Sequence, residues 1–237
     1  MEKHKVALII PTLNEIDGMK WFMPRLKKDW YDEIVVIDGG STDGTIEYCK
    51  DNGYPVYVQK ENGLPKAYDE AFMRTTSDII ITLTPDGNSL PELIPGLVDK
   101  IKEGCDMVIA SRYIGGARSD DDDIFTAFGN HFFTALINLL FNAKYTDVLV
   151  GLRAYRRDAI DKMKLRDQDK QGWLKSKLNI MNSWETGSSI RAARLKLKVC
   201  DIPGDEPKRI GGVRKMSIIK NGSCALLHVL HEFFMGK

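Results

Sequence analysis

Ile79-Ile80-Ile81-Thr82-Leu83-Thr84-Pro85-Asp86-Gly87-Asn88-Ser89 is the stretch whose reading decides the fold. Its first five residues are β-branched or apolar without alternation, the pattern of a strand buried on both faces. The run stops at Pro85-Asp86-Gly87-Asn88, a turn that presents a carboxylate and an amide at the strand's carboxyl end. Ligands of open α/β sheets bind beyond that edge. An oxygen-rich turn there suits a hard divalent cation, which in turn can hold a diphosphate. Taken alone the stretch also reads as an ordinary polar turn, and the segments around it decide between the two.

Upstream, Val6 to Ile10 is a short apolar run closed by Pro11, again a buried strand and a turn. Asn14 is placed to cap the next helix, with Glu15 in its first turn and Trp21, Phe22, Met23 and Leu26 as its apolar stripe. Ile34 to Ile37 is a second strand, followed by the loop Asp38-Gly39-Gly40-Ser41-Thr42-Asp43-Gly44 and a helix Thr45 to Lys50. Val56 to Val58 is a third strand, and Gly63 to Thr75 a helix. After the central strand come a helix from about Leu90 to Lys102 and a strand Met107 to Ala110 that ends in Ser111-Arg112-Tyr113. Strands alternating with helices at this spacing predict a doubly wound, mostly parallel α/β sheet through residue 112. Polar tips follow successive strands: Asn14 and Glu15, Asp38, Asp86, Arg112. All lie at carboxyl ends, so they converge on one crevice. Neither a Gly-x-Gly-x-x-Gly after the first strand nor a Gly-x-x-x-x-Gly-Lys-Ser/Thr occurs, which argues against dinucleotide and P-loop folds.

The second half has a different texture. Four acids, Asp120 to Asp123, precede an apolar helix from Phe125 to Phe141 and read as a solvated helix cap, less often as a metal or acceptor element. Thr146 to Tyr155 is strand-like and carries Asp147 and Arg153. Trp184 to Arg194 is a helix, and Leu197 to Pro203 an edge strand. Lys208-Arg209-Ile210-Gly211-Gly212-Val213-Arg214-Lys215 is a glycine pair flanked by cations, suited to a flexible loop closing over phosphate and also readable as a solvated basic loop. Met216 to Phe234 is an amphipathic helix. Core packing, a contact between two copies, and weak contact with a membrane surface all account for it.

With 237 residues, 43% of them hydrophobic, the chain is long enough for one large α/β domain or two small ones, and a single domain is expected. Its formal charge of +1 gives no global field for nucleic acid. Cys49, Cys105, Cys200 and Cys224 have no metal-ligand spacing and read as free thiols in a reducing compartment. The five apolar residues before Pro11 are too few for a signal peptide, and no run is read as approaching the roughly 18 apolar residues of a spanning helix. The expected place is the cytoplasm, with peripheral contact at the inner face of a membrane.

Six segments together resemble a known family. They are Ile9 to Glu15, Val36 to Thr45, Pro85-Asp86-Gly87-Asn88, Ala110-Ser111-Arg112-Tyr113, Asp147 with Gly151 and Arg153, and Arg209-x-x-Gly212-x-x-Lys215. In this order they resemble the inverting glycosyltransferases of family 2, with the GT-A fold, and in particular the polyprenol-phosphate (dolichol-phosphate) mannose and glucose synthases. The resemblance implies a nucleoside-diphosphate sugar donor and a lipid-linked or glycan acceptor. Pro11, Leu13, Glu15, Val36 and Asp38 would face the nucleoside, and Pro85, Asp86, Arg209 and Lys215 the donor diphosphate. Asp86 and Asn88 would hold Mg²⁺ or Mn²⁺, and Asp86, Arg112 and Asp147 would form the catalytic set. It divides the chain into a nucleotide-sugar half (1–112), an acceptor half (113–215) and a C-terminal helix (216–237). The chain departs from the family pattern where Thr84 stands in place of the first metal acid. It departs again where Gly39 follows Asp38 in place of a second acid, and where Asp123 and Thr126 stand in place of an acceptor-phosphate Arg and Ser. The alternative is a degenerate, non-catalytic sugar-nucleotide-binding protein.

Overall fold

A computed structural model describes residues 4–166, 183–210 and 218–235. Seven strands form one sheet: β1 (Val6–Thr12), β2 (Glu33–Asp38), β3 (Val56–Val58), β4 (Ile79–Thr82), β5 (Met107–Ser111), β6 (Arg153–Arg156) and β7 (Val199–Pro203), in the order β3-β2-β1-β4-β6-β5-β7. The helices are α1 (Ile16–Phe22), α2 (Thr45–Asp51), α3 (Leu64–Phe72), α4 (Ile94–Lys102), α5 (Ile124–Phe141), α6 (Arg157–Lys162), α7 (Trp184–Arg194) and α8 (Ile218–Met235). This is the mostly parallel, helix-flanked sheet of a GT-A fold, with the expected C-terminal helix.

Continuous apolar runs arise because both faces of the sheet are covered. Ala7, Ile9, Val35, Ile37, Ile80, Met107 and Ile109 point into one core, with Tyr68, Phe133, Ile137 and Trp184. Their neighbours Leu8, Ile10, Val36, Ile79, Ile81 and Val108 point into the other, with Met19, Phe22, Ile94 and Leu97. The strand period of two thus splits each run between two layers.

β6 is the exception in direction: it runs antiparallel to both β4 and β5, with Arg153 opposite Thr82 and Ile109. Its amino end therefore lies at the carboxyl edge of its neighbours. The segment before it, with Asp147, is delivered to the same edge as Asp38, Asp86 and Arg112. The strand-like reading of Thr146 to Tyr155 is thereby narrowed to Arg153–Arg156.

Three expectations are corrected. Cys105 and Cys200 are not free thiols but a disulfide, with Cα atoms 6.1 Å apart. The parallel pairing of β5 with β7 sets Val108 beside Cys200, a neighbourhood that 95 residues of separation hide. Cys49 and Cys224 are free. Asn14 does not cap α1; it has a left-handed backbone, and its side chain accepts from Thr42 N–H at 2.8 Å. Finally, α5 is long and apolar enough, by length and composition, to cross a membrane. It carries no Asp, Glu, Lys or Arg over its 18 residues, and its Thr, Asn and His residues are what hid that length in a search for an unbroken apolar run.

α5 packs inward through Phe133 and Ile137, and α8 through Val229, Ala225 and Leu226. The buried Glu232 of α8 lies 2.7 Å from Arg191 and 3.2 Å from Arg194, both on α7. Burial alone would raise this carboxyl; His228 and Arg191 outweigh it and hold it well below the usual range. The C-terminal helix is thus part of the core on one side. Its other side, with Leu227, Leu230, Phe233 and Phe234, is exposed.

Helix α1 is pressed against the central turn. A Cβ at Gly18 would lie 2.0 Å from the Pro85 carbonyl oxygen, so only glycine fits there. Gly18→Ala is expected to lower stability by about 1–3 kcal/mol through overpacking. The check is a urea titration, read as a lower midpoint at unchanged slope; an unchanged midpoint would show that the turn gives way freely.

Candidate functional site

The site is built on the carboxyl edge of the sheet. After β1 and β2, two loops are tied together: Asn14 N–H donates to Ser41 Oγ at 2.7 Å, Glu15 N–H to Thr45 Oγ1 at 3.2 Å, and Ile16 N–H to Asp43 Oδ2 at 3.0 Å. Asp38 is fully buried and holds its own loop. One oxygen accepts from Gly40 and Ser41 N–H at 2.8 and 2.6 Å, the other from Ser41 Oγ at 2.7 Å. Pro11, Leu13, Glu15 and Asp38 are therefore brought to one loop pair. Val36 is not: its side chain lies in the sheet core with Ile10 and Cys49.

The turn after β4 is fastened by what lies around it. Thr84 Oγ1 donates to Asp86 Oδ1 at 3.1 Å, and Asn88 N–H to the same oxygen at 3.3 Å. The segment after β7 crosses over it: Ile210 N–H donates to the Asp86 carbonyl at 2.7 Å. Gly87 permits this twice over. Its φ is +90°, and a Cβ there would come within 2.9 Å of Ile210 N. The crossing brings Arg209 to Asp86, its guanidinium 3.6 Å from Oδ2. Lys215, with Gly211, Gly212 and Arg214, lies outside the described residues.

Arg112 sits at the end of β5 among carboxylates. Its Nε and Nη2 donate to the two oxygens of Asp147 at 2.6 and 2.9 Å, a bidentate pair in which Asp147 is fully buried. Its Nη1 donates to Glu206 at 3.0 Å, and Asp122 stands 3.8 Å away. Burial would lower this guanidinium, but Asp147 and Glu206 reverse that and raise it further. Asp147 also accepts from the N–H groups of Leu149 and Val150. Arg153 is fully buried and holds the same loop from beneath. It donates to the carbonyls of Val148, Val150 and Glu185 and to the hydroxyls of Ser188 and Ser189.

The four-acid run is only partly a helix cap. Asp123 forms a capping box with Thr126: its Oδ1 accepts from Thr126 N–H at 2.8 Å, and Thr126 Oγ1 accepts from Asp123 N–H at 2.8 Å. Asp122 accepts from Tyr113 Oη at 2.6 Å, and Asp121 from Asn88 Nδ2 at 3.1 Å, so both turn inward. A cleft of about 360 Å³ opens beside them, lined by Arg112, Tyr113, Arg118, Asp122, Ile124 and Ala127 among others. Sequence reading did not single out Asp121 or Glu206. Asp121 was hidden inside a run that reads as a cap. Glu206 reaches Arg112 and Ser119 only through the return of the chain after β7. Among the described residues no three His, Cys, Asp or Glu side chains form a ready-made metal cage.

The Arg112–Asp147 pair gives a direct test. Removing one partner of a buried pair strands the other charge, so Arg112→Met is expected to cost about 3–5 kcal/mol. In the double variant Arg112→Met/Asp147→Leu part of that loss should disappear, because Asp147 is no longer stranded, while Glu206 and Asp122 still lose their partner. Urea unfolding of the wild type, both singles and the double reads the coupling; strictly additive losses would show that the two side chains act independently.

Residues 7–164 match the model of the family "Glycosyl transferase family 2". The chain is 24% identical to the undecaprenyl-phosphate mannosyltransferase of Micrococcus luteus over 90% of this chain and 88% of that one. It is 35% identical to the dolichol-phosphate mannosyltransferase of Pyrococcus furiosus over 125 residues, which span 49% of this chain and 36% of that protein's length. In fold it is similar to the glucosyl-3-phosphoglycerate synthase of Mycobacterium tuberculosis, crystallised with Mn²⁺, uridine diphosphate and glucosyl-3-phosphoglycerate. The TM-score is 0.63 at 18% identity, covering 97% of this chain and 80% of that one. The family model takes in β1 through α6, with the turn after β4 at its centre, and by that match the chain belongs to glycosyl transferase family 2.

Proposed function

We propose that this glycosyltransferase moves a hexosyl group from a nucleoside-diphosphate sugar to a lipid-phosphate acceptor, with inversion at the anomeric carbon and with Mg²⁺ or Mn²⁺ as cofactor. The observation that carries the reading is the turn after β4, where Asp86, Asn88 and Arg209 meet at the carboxyl edge of the sheet. Hard oxygen ligands beside a guanidinium are what a leaving nucleoside diphosphate requires. The residues fit a divalent cation: Asn88 Oδ1 is buried without a hydrogen-bond donor, and the Asp86 carboxylate is held by the backbone N–H of the same residue. Bound to Asp86 and Asn88, the cation would neutralise charge developing on the departing diphosphate.

The chain's own residues take the other roles. Pro11, Leu13, Glu15 and Asp38 form the nucleoside wall; Asp38, with both oxygens engaged, acts by fixing the loop that lines it. Arg209, and Lys215 by the resemblance, meet the diphosphate, with Pro85 shaping the turn. Arg112 and Asp147 are positioning residues that hold the acceptor side together. A phosphate monoester is largely ionised near neutral pH, so its oxygen can attack the anomeric carbon opposite the diphosphate without a strong base. Arg112 and Arg118 face the cleft where such a headgroup would lie. The similarity to the Micrococcus and Pyrococcus proteins supports this acceptor class.

Thr84 favours a second reading, a protein that binds sugar nucleotide without turning it over. Slow, metal-dependent hydrolysis of the donor separates the two. Thermal unfolding with Mn²⁺ and a panel of nucleoside diphosphates tests the first directly. A metal-dependent rise in Tm is expected for the wild type and none for Asp86→Ala; an equal rise in both would contradict the assignment.

A lipid acceptor also requires a surface for the bilayer. Beside the cleft, α5 exposes Ile124, Phe125, Phe128 and Leu139, and its end meets α8, where Phe141 and Phe233 pack edge to face at 5.9 Å. A contiguous apolar face next to the cleft lets a headgroup enter while the hydrocarbon stays on the helix. Arg209 is engaged with Asp86 and Asp121, so this contact rests on α5 more than on loop cations. Replacing Phe125 and Phe128 together by Ser should reduce vesicle co-sedimentation by about tenfold or more, because each exposed ring is worth about 1.5–3 kcal/mol when buried. Failure of the wild type to pellet, with a dimer in solution lost on the same substitution, would assign the face to a second copy.

A further inference from the structure

The turn after β4 has Thr84 where a metal acid is expected, and the fold brings another carboxylate to it. Asp121, from the loop before α5, accepts from Asn88 Nδ2 at 3.1 Å. The guanidinium of Arg209 spans the pair, Nη1 lying 3.6 Å from Asp86 Oδ2 and Nη2 lying 3.5 Å from Asp121 Oδ2. Two carboxylates from distant segments thus share one cationic group. The Asn88 amide is oriented by this arrangement: its NH₂ faces the Asp121 carboxylate, and its Oδ1 is buried and meets no donor. An orphaned carbonyl oxygen on a residue that hydrogen-bonds both carboxylates makes a donor set suited to a hard cation.

We propose that Asp121 is the second carboxylate of the divalent-cation site, with Asp86 and Asn88 Oδ1, and that Arg209 is its resident counter-ion, displaced by the metal and then free for the donor diphosphate. The proposal rests on the metal-assisted reading above and deepens it. The distances support exchange. Arg209 stands 3.5–3.6 Å from its carboxylates, beyond a good charge-assisted hydrogen bond, whereas Arg112 and Asp147 close to 2.6 and 2.9 Å. Without any cation, Asp86 and Asp121 would repel; a guanidinium holds them together loosely, and a doubly charged ion does so more strongly. One or two carboxylates completed by substrate phosphates is the usual composition of such a site.

The test is direct Mn²⁺ binding without nucleotide, read from the loss of the free-ion electron paramagnetic resonance signal. Asp121→Asn and Asp86→Asn should each weaken binding by about tenfold or more, since affinity follows ligand charge. Thr84→Asp placed in the Asp121→Asn protein should restore it, which excludes simple misfolding as the cause of the loss. Arg209→Gln should tighten Mn²⁺ binding by removing the competing cation. If Asp121→Asn binds like wild type while Asp86→Asn does not, Asp121 is not a ligand and the metal reading stands without it. If neither substitution matters, the metal reading itself fails. Weaker binding in Arg209→Gln would overturn the counter-ion role.

Discussion

The buried ion pair between Arg112 and Asp147 is the interaction on which the rest of the site depends. β5 ends at Arg112, β6 is preceded by Asp147, and the segment after β7 contributes Glu206 to the same guanidinium. Ser119 and the backbone of Asp120 also meet Glu206, so the loop before α5 hangs from this hub. From Glu206 the chain needs only a few residues to cross the turn after β4 and bond Asp86 through Ile210. Four segments far apart in sequence are thereby held in register around one planar cation, whose fork geometry makes the arrangement specific. A lysine at this position could not hold two carboxylates at fixed angles.

Rigidity and exchange are divided between two arginines. Arg112 is buried, its donors meet carboxylates at short distances, and burying such a group uncompensated would be very costly. Arg209 is half-buried and stands farther from its partners. The proposed reaction, which admits a charged donor and releases a diphosphate, would need both kinds of contact. The stable pair fixes the walls; the loose pair sits where, on that proposal, ligand charge would arrive.

Much of this was legible in the sequence. Val6 to Ile10, Ile34 to Ile37 and Ile79 to Leu83 announce doubly covered strands because an unbroken apolar run has few other uses, and the polar residue after each marks the ligand edge. Asp86 was legible for that reason. The direction of β6 was not, since an antiparallel insertion leaves no trace in a run of four residues. Nor was the Cys105–Cys200 bond, which depends on β5 lying beside β7. Asp121 and Asp122 were misread because four consecutive acids before a helix satisfy the capping rule, and only Asp123 does the capping. Asn14 looked like a cap by residue type, but a hydrogen bond from the neighbouring loop claims its side chain. Pairings that depend on where distant segments return to the sheet edge are set by tertiary geometry, and local pattern does not encode them.

The central claim is that the turn after β4 holds a divalent cation against a donor diphosphate. Crystals grown with Mn²⁺ and a nucleoside diphosphate, measured at a wavelength where manganese scatters anomalously, test it most directly. The account predicts an anomalous peak within about 2.0–2.6 Å of an Asp86 carboxylate oxygen, with a diphosphate oxygen as a further ligand and the Arg209 guanidinium moved off the two carboxylates. A bound diphosphate with no anomalous peak at Asp86, or with Arg209 still between Asp86 and Asp121, would contradict it.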